Sequence, residues 1–242
     1  MMSLRAARLG LPVAALAVVL AGCSSPRELV KPTPLNEISN DTPPQVTWSD
    51  GSGGDQKNEL TAIAPVENEG RLFVAGPDGD VLAYALESGD ELWSTDLDAD
   101  LSVGGGAGDG LVVFGSDDGR VFALDAESGA TRWTTSIRSS VDAAPSVGFG
   151  DVAVRGRDGT LVVLDAESGE VRWRQSRSQP PLTLQGQSRV LMFPDALAAG
   201  FDDGTIGVYA REDGNELWSQ TVALPSGRTD VDRMVDVDAT PV

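Results

Sequence analysis

After residue 30 the chain shows no helical period; it alternates short apolar runs with tight polar turns. Leu111-Val-Val-Phe-Gly115 is one such run, Asp117-Asp118-Gly119-Arg120 the turn after it, and Val121-Phe-Ala-Leu-Asp125 the next run. A second turn, Ala126-Glu-Ser-Gly129, leads into a strand carrying Trp133. Asp-Gly between apolar runs is a strong hairpin signal, because glycine accepts the positive φ of a tight turn. The unit recurs. Leu124-Asp-Ala-Glu-Ser-Gly-Ala-Thr-Arg-Trp133 returns as Leu164-Asp-Ala-Glu-Ser-Gly-Glu-Val-Arg-Trp173, with looser copies ending at Trp93 and Trp218. An Asp-Gly glycine stands fourteen residues before each of these tryptophans, at Gly79, Gly119, Gly159 and Gly204.

Trp48, Trp93, Trp133, Trp173 and Trp218 are spaced 45, 40, 40 and 45 residues apart. A period of about 40–45 residues built of short strands is the signature of a β-propeller blade, so the chain is expected to be all-β. A blade cannot bury both faces of its sheet alone, and one indole per copy fits a ring of wedges between stacked blades. Ala64-Pro65-Val66 and Ala144-Pro145-Ser146-Val147 open blades, and the sequence stops at another such opening, Ala239-Thr240-Pro241-Val242. The expectation is an incomplete arc of about four to five blades of an eight-bladed ring, occupying residues 45–242 and lacking its closing partner.

The first 44 residues read differently. Arg5 and Arg8 precede an apolar stretch from Leu9 to Leu20 that is shorter than the about 20 residues a membrane span requires. Leu20-Ala21-Gly22-Cys23 then forms a lipobox, so residues 1–22 read as a lipoprotein signal peptide and Cys23 as the acylated residue. Cys23 is the only cysteine, which excludes disulfides and cysteine metal sites. Ser24, by resemblance to sorted lipoproteins, implies the outer membrane. Residues 23–44 are polar and proline-rich, the composition of a tether; its 21 residues after Cys23 reach about 70 Å when extended.

Charge and composition then narrow the chemistry. The whole chain has a formal net charge of −19, which argues against nucleic acid, since phosphate binding requires basic surface. It contains no histidine, which removes imidazole bases, histidine triads and histidine-ligated metals. The repeated acids (Asp78, Asp118, Asp158 and Asp203; Asp125 and Asp165) sit at turns in register and so serve the fold. The glycines at 104–106 have no following lysine and open no helix, and read as a flexible turn. The acidic group Asp230, Asp232, Asp236 and Asp238 lies outside the repeat. It lacks the glycine and distal glutamate of a calcium loop. It reads either as a solvated loop or as a partner-binding one, since the link from Trp218 to Pro241 is 23 residues against 12 from Trp133 to Pro145. No catalytic, cofactor-binding or metal-ligating residue is expected.

The lipobox, the short tether, the Leu-Asp-Ala-x-Ser-Gly-x-x-x-Trp blades and the stretch Val231-Asp-Arg-Met-Val-Asp-Val-Asp-Ala-Thr-Pro-Val242 together resemble the BamB family, lipoproteins of the outer-membrane β-barrel assembly machinery. The resemblance implies a non-enzymatic scaffold at the periplasmic face of the outer membrane. Its partners would be the POTRA domains of the BamA-type central barrel protein, and unfolded outer-membrane protein substrates. The family's contact loops match Leu182-Thr183-Leu184-Gln185 and Asp236-Val237-Asp238; Gln185 stands where the family pattern has arginine, which takes the charge from one contact. Leu182 and Leu184, at i and i+2, also fit a buried strand face. Two other readings remain. One is a lipid-anchored quinoprotein dehydrogenase using pyrroloquinoline quinone, whose blades share the motif. The other is a general envelope adaptor.

Overall fold

The computed structural model describes residues 45–51, 63–183, 187–226, 228–229, 231–235 and 237. Residues 1–44, read above as signal peptide, Cys23 and tether, lie outside them, as do Leu184, Gln185, Asp236 and Asp238. Val46–Val242 is one compact unit. Its described residues form four four-stranded antiparallel sheets, each with its strands side by side in chain order. The first holds β1 (Val66–Asn68), β2 (Arg71–Ala75), β3 (Asp80–Ala85) and β4 (Glu91–Asp96); the second β5 (Gly106–Gly108), β6 (Leu111–Gly115), β7 (Arg120–Asp125) and β8 (Thr131–Ser136). The third holds β9 (Ser146–Gly148), β10 (Asp151–Arg155), β11 (Thr160–Asp165) and β12 (Val171–Ser176). The fourth holds β13 (Leu191–Met192), β14 (Ala196–Gly200), β15 (Thr205–Ala210) and β16 (Glu216–Thr221). These are the four repeats read in the sequence.

The core lies between sheets. β5 packs beside β1 and β9, and β9 beside β13, so the first strand of each sheet is innermost and the tryptophan strand outermost. Alternate residues of a middle strand serve opposite neighbours. Val112 and Phe114 join Phe73 and Trp93, whereas Leu111 and Val113 join Trp133, Val152 and Leu164. Every residue of β6 and of β10 is buried, which explains why β6 reads as a continuous apolar run; β10 buries Asp151 and Arg155 at its two ends.

The outer strands of the first three blades, by contrast, bury little besides their tryptophans, and each of these locks one blade to the next. Trp93 Nε1 donates to the Ala126 carbonyl (3.2 Å), Trp133 to Ala166 (2.8 Å) and Trp173 to Arg211 (2.8 Å). The ring lies on the glycine of the following blade's Ser-Gly or Asp-Gly turn. A Cβ on Gly129 would come within 2.6 Å of the Trp93 ring, and one on Gly169 equally close to Trp133. Trp48 makes the same contacts with the first blade, donating to the Leu86 carbonyl (2.9 Å) over Gly89. Trp218 is 53% exposed, and all six residues of β16 are exposed.

The glycines at 104–106 are not a flexible turn. They are buried on the approach to β5, where a Cβ on Gly104 would stand 2.7 Å from the Ala64 carbonyl and one on Gly105 2.6 Å from Phe114. Crowding of the inner strands requires residues without side chains there.

Candidate partner-binding face

Antiparallel order puts the links between blades at the same end of the sheets as the Asp-Gly turns. The link from β4 to β5 has nine residues (97–105), as does that from β8 to β9 (137–145); that from β12 to β13 has fourteen (177–190). The longer link carries Leu182, and the chain leaving β16 toward Asp236 departs from the same end. The fold therefore brings the two sequence-matched loops to one face, over blades three and four.

Both loops rest on one turn of the fourth blade, residues 201–204. Phe201 accepts through its carbonyl from the Val237 amide (3.4 Å), and a Cβ on Gly204 would meet Val235 Cγ2 at 3.0 Å. Val235 and Val237 flank Asp236 in the chain. On the other side of the turn, Asp202 Oδ2 accepts from Gln179 Nε2 (2.8 Å) and Gln187 Nε2 (3.3 Å), near the two ends of the 177–190 link. The Gln187 amide donates to the Asp142 carbonyl (3.2 Å), and Asp142 is ion-paired with Arg157 at 3.1 Å.

Below this lies Arg155, only 1% exposed. Its Nε donates to Gln187 Oε1 (3.0 Å), its Nη1 to the Gly200 carbonyl (2.7 Å), and its guanidinium stacks on Phe201 with 4.3 Å to the ring centre. Burial pushes Arg155 down to about 10, with the Asp202 charge pulling the other way, so it stays protonated at neutral pH. Arg177 also lies over the Phe201 ring (4.6 Å) and donates to the Tyr209 hydroxyl (2.9 Å) and Thr205 Oγ1 (2.9 Å). Leu182 is 44% exposed, so the buried-strand alternative fails for it. With Pro180, Pro181, Pro225 and Arg233 it lines a cleft of about 200 Å³ between the two loops. Leu184, Gln185, Asp236 and Asp238 lie outside the described residues, so Leu182 is the one matched contact residue with a described environment.

Sequence reasoning missed Arg155, Gln179, Gln187 and Asp202. A signal was present: Arg155 ends the second strand of its blade, where the other copies have Ala75, Gly115 and Gly200.

At the opposite end a groove of about 710 Å³ runs along the first three blades, lined among others by Asp125, Arg132, Asp165 and Arg172. Its arginines are engaged by neighbouring carboxylates: Arg132 by Asp125 (2.5 Å), and Arg172 by Asp165 (2.6 Å) and by the fully buried Asp151 (3.0 Å). Among the described residues no group of three or more histidine, cysteine, aspartate or glutamate side chains could hold a metal ion.

The family model described as outer membrane protein assembly factor BamB matches residues 41–103 and 77–242. A relative of that name from Alkalilimnicola ehrlichii is 47% identical over 98% of this chain and 61% of its own length. The crystal structure of BamB from Moraxella catarrhalis superposes with a TM-score of 0.71 at 26% identity, covering 74% of this chain and 55% of that one. A quinohemoprotein alcohol dehydrogenase from Comamonas testosteroni shares the fold alone, with a TM-score of 0.53 at 18% identity over 66% of this chain and 35% of its own. The chain spans about three-fifths of the length of the curated relatives it matches.

Proposed function

The chain belongs to the BamB family of outer membrane protein assembly factors, and from that premise we propose that it is a non-enzymatic scaffold of the barrel assembly machinery, docking on POTRA domains of the central barrel protein. The observation that carries this is the convergence of two loops on the 201–204 turn, with Leu182 left half exposed beside Arg233. Exposed leucines would supply the desolvated centre of a contact, and Asp236 and Asp238 charge-assisted acceptors at its rim. Gln185 would contribute a neutral contact. Acylated Cys23 and the tether would hold the propeller at the periplasmic face of the outer membrane, where unfolded barrel substrates pass.

The test uses the full-length protein and co-purification with the barrel protein. Leu184→Ala, and Asp236→Ala with Asp238→Ala, are each expected to weaken binding by about 1–3 kcal/mol and to leave the melting transition nearly unchanged. Asp125→Ala, in a turn at the opposite end, should lower stability without a specific binding loss. Normal binding by the loop variants would move the interface elsewhere. Stoichiometric quinone uptake with dye reduction would sink the scaffold reading altogether.

A further inference from the structure

The link from β12 to β13 is five residues longer than the other two, and the extra length is bracketed by glutamines bound to a single carboxylate. We propose that Arg155, Gln179, Gln187 and Asp202 form a polar clamp that fixes both ends of this link and thereby sets the presentation of Leu182 to a protein partner. They are positioning residues, and the inference rests on the partner-face reading above.

The repeat itself has no use for this arginine. Alanine or glycine fills the position in the other three blades, and burying a guanidinium is costly unless hydrogen bonds and opposite charge offset the loss of water. The bonds that offset it lead to Gln187 in the link and to Gly200 at the edge of the supporting turn. Asp202 joins that turn to residues eight apart in the link, on either side of Leu182. Closing a loop from both ends removes much of the freedom it would otherwise lose on binding. The same turn carries the Val237 contact, so one rigid element supports both halves of the candidate face.

In the full-length protein, Arg155→Ala removes the buried member and Gln179→Ala an exposed one that belongs to none of the hydrophobic cores. The readouts are affinity for purified POTRA domains, thermal melting, and hydrogen exchange of the 177–190 link. Gln179→Ala is expected to speed exchange in the link, to weaken binding about tenfold, and to leave the melting temperature nearly unchanged. Arg155→Ala should do the same, with some loss of stability. In a Leu182→Ala, Leu184→Ala background, Gln179→Ala should have no further effect on binding, because a clamp that acts through the leucines has nothing left to position. Unchanged exchange in both clamp variants overturns the proposal. So does faster exchange with unchanged affinity, provided the leucine variant binds weakly. If the leucine variant binds normally, the partner-face reading is what has failed, and the clamp loses its role with it.

Discussion

At the scale of single residues, the joint between blades is a tryptophan on a glycine. Gly129 has φ of 72°, a conformation costly for any residue with a Cβ, and the Trp93 ring occupies the space that a Cβ would need. Strain and overlap act together, so Gly129→Ala should destabilise the protein by about 2–3 kcal/mol. Trp133→Ala should cost about 3–5 kcal/mol, since it removes the largest side chain of the core between the second and third blades. Urea unfolding measures both; a Gly129→Ala midpoint at the wild-type value would mean that the turn moves freely under the ring.

At the scale of the element, the turn before the outer strand of the second and third blades is held by its first aspartate. Asp125 Oδ1 accepts from the Ser128 amide (2.8 Å) and hydroxyl (2.7 Å) while its other oxygen pairs with Arg132. Asp165 repeats this with Ser168 and Arg172. The Arg172 hydrogen bond, with those from Ser168, holds Asp165 at about 2. Asp125 is lowered as well, chiefly by Ser128 and then by Arg132. An unfolded aspartate titrates near about 4. The folded turn therefore binds its proton less readily than the unfolded chain. Its contribution is complete above about pH 4 and is lost as pH falls through about 2. Asp165→Asn keeps an acceptor for Ser168 but no charge for Arg172. Its stability deficit in urea unfolding should be present at pH 6 and close as pH falls from about 4 to about 2. A deficit that did not change with pH would show that the carboxylate charge is not what holds the turn.

At the scale of the whole molecule, the cores belong to pairs of blades, so each sheet depends on its neighbours while the inter-blade links are free to vary. That freedom would let the fourteen-residue link carry the proposed recognition without disturbing the stack. The remaining expectation at this scale concerns where the molecule sits. Cys23→Ser should release the protein into the soluble periplasmic fraction or leave its signal segment uncleaved, as read by membrane fractionation and blotting. A variant that stays with washed outer membrane would require a different anchor.

The repeat, the strands of each blade, the turn chemistry and the wedge role of the tryptophans were all legible beforehand. Each is either local or copied: Asp125 reaches Ser128 within three residues, and the indoles recur at one position per blade. Arg155 was legible only as an oddity among small residues, because its partners Gln187 and Gly200 lie 32 and 45 residues away. The crowding around the glycines at 104–106 was hidden for the same reason, since Ala64 and Pro145 come from neighbouring blades. Leu182 fitted a buried strand and an exposed loop equally well. Its exposure depends on what other segments cover it, and that is settled only when the third and fourth blades stack and the link between them is held on the 201–204 turn.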